Sequence, residues 1–175
     1  MKTKISRHLT DVDCISVSFL LDVFCELNEE ATKNSQPSTE QILRFGEELG
    51  VRDSNLTLSG VRRICKSLEK EFCKVTKLSL EFNQITDGGV ISLSQALKSS
   101  ACKVTTLDLR HNQITDGGVI SLSQALQSSA CKVTTLDLSD NQITDTGREC
   151  LRNMEHQNPD LYLLYFLKQC LAENI

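Results

Sequence analysis

The sequence predicts an α/β solenoid: a short curved stack with a parallel sheet on the concave side, helices on the convex side and a helical cap at the N-terminal end. Three observations point to it. A 29-residue block recurs, as CKVTKLSLEFNQITDGGVISLSQALKSSA at 73–101, CKVTTLDLRHNQITDGGVISLSQALQSSA at 102–130 and CKVTTLDLSDNQITDTG from Cys131. Self-similarity at such a period marks supersecondary units that bury their apolar sides only against their neighbours. Each block splits into an alternating segment, Val75-x-x-Leu78-x-Leu80, and a segment at helical spacing, Val90, Leu93, Ala96 and Leu97. A strand, a turn and a helix in so short a unit return each strand beside the last in the same direction, so consecutive strands pair in parallel. Residues 77–80, 106–109 and 135–138 are the expected strands, with helices near 88–98 and 117–127.

Residues 1–45 carry no copy of the block and read as the helical cap. Ile15, Phe19, Leu20, Val23, Phe24 and Leu27 form an apolar helical stripe, 34–37 is a loop, and Ser38-Thr39-Glu40-Gln41 reads as a capping box opening a second helix. An open solenoid end exposes core, which such a cap would cover.

The repeats occupy 46–157. The first, 46–72, is degenerate: Leu49-Gly50-Val51 stands where Leu78-Ser79-Leu80 stands in the next, followed in register by Leu56, Gly60, Val61, Ile64 and Leu68. Between strand and helix of the full copies lies N-Q-I-T-D-G-G, where Thr86 or Asp87 can cap the helix. Asn83, Asn112 and Asn141 recur at the turn off the strand. Stacking the units sets their amides one above another, a ladder able to satisfy backbone groups that no strand reaches. The last helix is atypical, with Arg148, Glu149, Arg152 and Asn153 in place of Val119, Ile120, Ser123 and Gln124.

Residues 158–175 read as a C-terminal cap. Leu161, Leu164 and Phe166 restore the strand frame at a 28-residue step from Val133, Leu136 and Leu138, which turns Leu163, Tyr165 and Leu167 outward as an apolar association edge. The rival reading starts a closing helix at Asn158-Pro159.

The pattern Val75-x-x-Leu78-x-Leu80-x-x-Asn83-x-Ile85, followed by Gly89, Leu93 and Ala96-Leu97, resembles the ribonuclease-inhibitor-type leucine-rich repeat, as in ribonuclease inhibitor and NOD-like receptor repeats, over roughly 73–151. The resemblance implies a leucine-rich-repeat horseshoe segment that binds proteins on its concave face. A GxxxxGK[ST] phosphate loop, which a complete NOD-like receptor needs, is missing from the sequence.

Composition narrows the function. A formal charge of −4 with no Lys/Arg stripe argues against nucleic-acid binding. No window is long and apolar enough to span a bilayer, and the opening MKTKISRHLTDVDC is too polar for a signal peptide, so a cytoplasmic location is expected. Eight cysteines invite a disulfide or metal reading, but Cys73, Cys102 and Cys131 share one slot in successive repeats and lack C-x2-C spacing. They are expected to be free thiols acting as small hydrophobes, and neither metal nor cofactor is expected.

The candidate site comes from comparing the copies. Blocks 73–101 and 102–130 differ at Lys77/Thr106, Ser79/Asp108, Glu81/Arg110, Phe82/His111 and Lys98/Gln127, while 102–116 and 131–145 differ at Arg110/Ser139 and His111/Asp140. All but Lys98/Gln127 fall in the strand segment: Lys77, Ser79 and Glu81 and their counterparts are on the side that alternation turns away from Leu78 and Leu80, and Phe82 and its counterparts lie just beyond. The expected partner-binding strip is therefore Lys77, Thr106 and Thr135; Ser79, Asp108 and Asp137; Glu81, Arg110 and Ser139; and Phe82, His111 and Asp140. Phe82, Arg110 and His111 are its expected anchors, and Asp137 with Asp140 favours a basic patch on a protein partner. Asp108 and Asp137 are neighbours in one column, as repetition alone requires, so no enzymatic role is expected. The alternatives are a structural or self-associating scaffold unit, with a weak homodimer through the C-terminal edge, and a regulator of a GTPase or other enzyme through the same face.

Overall fold

The computed structural model describes residues 3–6, 47–53, 56 and 58–165. Strands and helices follow in the order β1 (Thr3–Ser6), β2 (Glu48–Arg52), α1 (Leu58–Leu68), β3 (Lys77–Ser79), α2 (Asp87–Leu97), β4 (Thr106–Asp108), α3 (Asp116–Leu126), β5 (Thr135–Asp137), α4 (Asp145–Gln157) and β6 (Tyr162–Leu164). Among the described residues, six strands make one parallel sheet in chain order. Its register follows the repeat, with Leu49 beside Leu78, Leu78 beside Leu107, and Leu107 beside Leu136. Helices α1 to α4 pack in sequence as a second layer. Strands lie about 4.8 Å apart and helices about 8–10 Å apart, so the sheet takes the inner curve of the stack.

One apolar core runs between the layers. Leu78, Leu80, Leu107, Leu109, Leu136 and Leu138 fill it from the sheet, and Val90, Leu93, Leu97, Val119, Leu122 and Leu151 from the helices. The degenerate first repeat joins it through Val51, Val61, Ile64 and Leu68. Among the described residues, the Ser94 hydroxyl is the buried side-chain oxygen without a hydrogen-bond partner. Since an unsatisfied buried hydroxyl costs about 1–3 kcal/mol, Ser94→Ala is expected to leave the melting temperature unchanged or raise it. A clear drop in a thermal melt would count against this.

The asparagine turns bind each unit to the one before. Asn112 Nδ2 donates to the carbonyls of Leu109 at 2.9 Å, Leu80 at 3.1 Å and Arg110 at 3.2 Å, while its Oδ1 accepts from Ile85 N at 3.0 Å. Asn83 and Asn141 repeat this pattern.

A second ladder, of threonine and aspartate, runs along the helix starts. Asp87 accepts from Thr115 N at 2.8 Å and Thr115 Oγ1 at 2.5 Å, and Asp116 accepts from Thr144 N at 2.9 Å and Thr144 Oγ1 at 2.5 Å. The Thr144 bonds pull the Asp116 carboxyl below its ordinary pKa, outweighing partial burial. Thr115 and Thr144 also cap their own helices. Asp87 thus spends its carboxylate on the next unit, which the T-D-G-G motif did not disclose. The motif's second glycine makes room for this: a Cβ on Gly118 would lie 2.7 Å from both Asp87 Oδ1 and Ile114 Cγ2. At the end of the ladder Asp145 turns instead to Arg148, 3.2 Å away on its own helix.

The two ends differ from expectation. At the N-terminal end, Thr3–Ser6 pairs in parallel with Leu49–Arg52 and adds a strand where the sequence suggested only helix. The rest of the expected helical cap, with its apolar stripe and capping box, lies outside the described residues. At the C-terminal end a strand forms, not a closing helix, and its phase is shifted. Leu163, not Leu164, pairs with Leu136, so Leu163 and Tyr165 are 8% and 9% exposed while Tyr162 and Leu164 are 62% and 39% exposed. The outward assignment of Leu163 and Tyr165 is therefore corrected, and Leu167 lies outside the described residues. The cause is a shortened connection before the strand: Leu163 follows Leu136 by 27 residues, two fewer than the 29 of the full repeats and one fewer than the expected 28. In the full repeats two successive amides, such as those of Thr134 and Thr135, donate to one carbonyl of the preceding unit, whereas at β6 the Tyr162 amide takes that carbonyl. A one-residue slip exchanges the faces of every side chain beyond it.

Candidate functional site

Alternation along β2 to β6 lays out the free face of the sheet in columns. Glu48, Lys77, Thr106, Thr135 and Tyr162 form the first, and Gly50, Ser79, Asp108, Asp137 and Leu164 the second. Arg52 at the end of β2 and Glu81, Arg110 and Ser139 beyond β3, β4 and β5 occupy equivalent positions, followed by Asp53, Phe82, His111 and Asp140. The structure brings the twelve strip residues together on this face, but not all as exposed groups.

Glu81 is the exception. It lies on the predicted side, yet its side chain is only 5% exposed, because Arg52 Nη1 approaches one carboxylate oxygen at 2.6 Å and Arg110 Nε the other at 2.5 Å. Arg110 also contacts Asp108 at 3.0 Å. Partial burial opposes the Arg110 charge, but Asp108 and Glu81 outweigh it and raise its pKa above the ordinary guanidinium value. Arg52 Nε donates to Ser79 Oγ, which donates to Asp108. Glu81 is thus the buried centre of a network, and as a direct contact residue it is corrected. Arg52 belongs to the face although sequence reasoning passed over it; its place in the degenerate first copy, opposite Glu81, was the available signal.

The next column carries a shared backbone device. Asp53, Phe82, His111 and Asp140 have φ of 48°, 52°, 53° and 56°. At Phe82, His111 and Asp140 this left-handed conformation swings the chain off the strand and turns the following asparagine inward. Aspartate and histidine tolerate it, whereas a bulky residue such as phenylalanine adopts it only when its surroundings hold it there. The Phe82 ring stacks on His111 at 4.1 Å and 13°, and His111 Nε2 lies 3.2 Å from Asp140 Oδ2. Half of Phe82 remains exposed.

The two column-mates suggestive of acid/base chemistry are each engaged locally. Asp108 is held by Arg110 and Ser79, and Asp137 accepts from Ser139 N at 3.0 Å and Ser139 Oγ at 2.6 Å. Among the described residues, no group of His, Cys, Asp and Glu is arranged to hold a metal ion, and no helix is long and apolar enough to cross a membrane. Among the described residues, Cys65, Cys73, Cys102, Cys131 and Cys150 are thiols outside any disulfide. Burial pushes the Cys65 thiol up to about 12, with Glu69 adding to it, and burial also raises Cys102 and Cys131. These thiols stay protonated and act as packing groups.

Comparison with known proteins agrees with this geometry. The leucine-rich-repeat family model matches at residues 73–94, 100–123 and 129–151. Among solved structures, the leiomodin-1 actin-binding site 2 is similar with a TM-score of 0.61, at 21% identity over 82% of this chain and 79% of that one. At that identity the likeness is one of fold. No curated protein matches the chain by sequence.

Proposed function

Taking as premise that the chain carries leucine-rich repeats stacked as a solenoid, we propose that it is a non-catalytic module that binds a protein partner on the free, concave face of its sheet. One observation carries this reading: between nearly identical copies, the substitutions gather in the strand segment facing that side, while the polar helix residues Ser92, Ser94, Gln95, Ser99 and Ser100 recur unchanged as Ser121, Ser123, Gln124, Ser128 and Ser129. A surface diversified on a constant frame is what recognition requires and folding does not. The one-strand, one-helix unit of 29 residues supports the ribonuclease-inhibitor subtype, and the free thiols support a reducing compartment such as the cytoplasm. Leiomodin-1 presents an actin-binding site on the same fold, which makes actin the first partner to assay.

The test compares two variants of the full chain. One changes the sheet face (Lys77→Ala, His111→Ala, Asp137→Ala, Tyr162→Ala) and the other the helix face (Ile91→Ser, Gln95→Ala, Ile120→Ser, Gln124→Ala). In co-sedimentation with actin filaments, and in quantitative affinity capture, proteins retained by the wild type are expected to fall at least about tenfold with the sheet-face variant and to persist with the other. The reverse pattern would overturn the assignment of the binding face.

A further inference from the structure

Resting on that reading, we infer that binding concentrates at the β5–β6 end of the concave face, in a site formed by Asp137, Asp140, Tyr162 and Leu164, and that its ligand is a protein segment carrying an arginine or lysine beside an apolar side chain. The charges of the face lead there. Glu48 is paired with Lys77 at 2.9 Å, and Arg52 and Arg110 balance Glu81 and Asp108. Over β2 to β4 these charges cancel internally, leaving Asp53 as a single carboxylate at the far end.

At β5 the balance changes because of one substitution. Asp137 occupies the slot of Asp108, but the residue two positions on is Ser139, not Arg110. The serine amide and hydroxyl orient the Asp137 carboxylate as the arginine orients Asp108, yet they bring no positive charge. Asp140, aligned by His111, adds a second carboxylate in the same repeat. Among the described residues neither carboxylate is in direct contact with a guanidinium or ammonium, Arg110 acting on Asp137 only at longer range, so both present acceptors to a basic side chain.

The apolar half of the site comes from the phase slip in β6. Leu164 is the strand partner of Asp137 and Tyr162 that of Thr135, and both are exposed on this face. An aromatic ring and an aliphatic side chain beside carboxylates that no guanidinium contacts supply both a desolvating contact and an electrostatic one, the combination that marks interface hot spots.

The experiment selects a phage-displayed random peptide library on the immobilised full chain and measures synthetic copies of the enriched peptides by fluorescence anisotropy. Enrichment of arginine or lysine next to an apolar residue is expected. Affinity should fall at least tenfold with Tyr162→Ala, with Asp137→Asn plus Asp140→Asn, and with Ser139→Arg, which installs the neutralising cation of the preceding repeat; circular dichroism checks that each variant is folded. Acidic consensus peptides, peptides that bind the sheet face but ignore Ser139→Arg, or no enrichment over bare support would each overturn this inference while leaving the concave-face reading standing. Peptides lost only with Ile91→Ser and Ile120→Ser on the helices would overturn both.

Discussion

Asn112→Ala is expected to destabilise the protein by about 3 kcal/mol or more. The side chain is buried, and its removal leaves the Ile85 amide unpaired and takes one of two partners from the carbonyls of Leu80, Leu109 and Arg110, which keep Asn83, Asn141 and the Phe82 amide. The unpaired buried amide costs about 1–3 kcal/mol and each of the other lost bonds about 0.5–1.5 kcal/mol. The lost bonds also join two units, and in a stack stabilised by nearest-neighbour contacts a weakened junction affects both sides. At about 2–4 °C per kcal/mol for a chain of this size, the melting temperature should drop by several degrees or more. Asn153→Ala, on the exposed side of α4, should leave it nearly unchanged. Equal melts for the two variants would show that the ladder contributes little.

Removing both arginines around Glu81 is the second large effect. Either Arg52→Ala or Arg110→Ala alone leaves the carboxylate one guanidinium, and because the arginines are themselves 33% and 40% exposed, each single change should cost roughly 1 kcal/mol or less. Together they strand a nearly buried carboxylate without a counter-charge, a situation that costs about 3–5 kcal/mol. The double variant should therefore lose much more than the sum of the singles, and Glu81→Gln placed in that background should recover part of the loss. Urea unfolding of these variants reads the coupling directly. Additive small losses, or no rescue by glutamine, would mean that Glu81 finds enough water to stand alone.

How far the sequence disclosed all this depends on how local each signal was. Near-identical blocks place Leu78, Leu107 and Leu136 in one row whatever their surroundings, so the parallel sheet, its register, the helices and the asparagine turns were legible. At 161–166 the signal fails for a specific reason: Leu161, Leu163, Leu164, Tyr165 and Phe166 are nearly all apolar, so two phases one residue apart fit alternation equally well. The shortened connection ahead of the strand chooses between them, through backbone bonding that no hydrophobic pattern encodes. Glu81 illustrates another limit. Its face follows from alternation, but its burial depends on Arg52, which sits in the degenerate copy, and on Arg110, which sits in the next. Similarly, T-D-G-G reads as a helix start in isolation, and only the stacked units show that the aspartate serves its neighbour.

The threonine–aspartate ladder gives the array a polarity with consequences for how it can grow. Asp87 and Asp116 each offer a carboxylate forward to the threonine of the next copy, Thr115 and Thr144, so the two joins among the three near-identical copies are chemically the same. A tandem duplication of residues 102–130 would arrive with both halves of the joint already in place, alongside its asparagine and its glycine clearance, and could be spliced in without alterations elsewhere. The architecture thus lets the chain lengthen by whole units while single strand residues diversify one at a time, which separates the evolution of reach from the evolution of specificity.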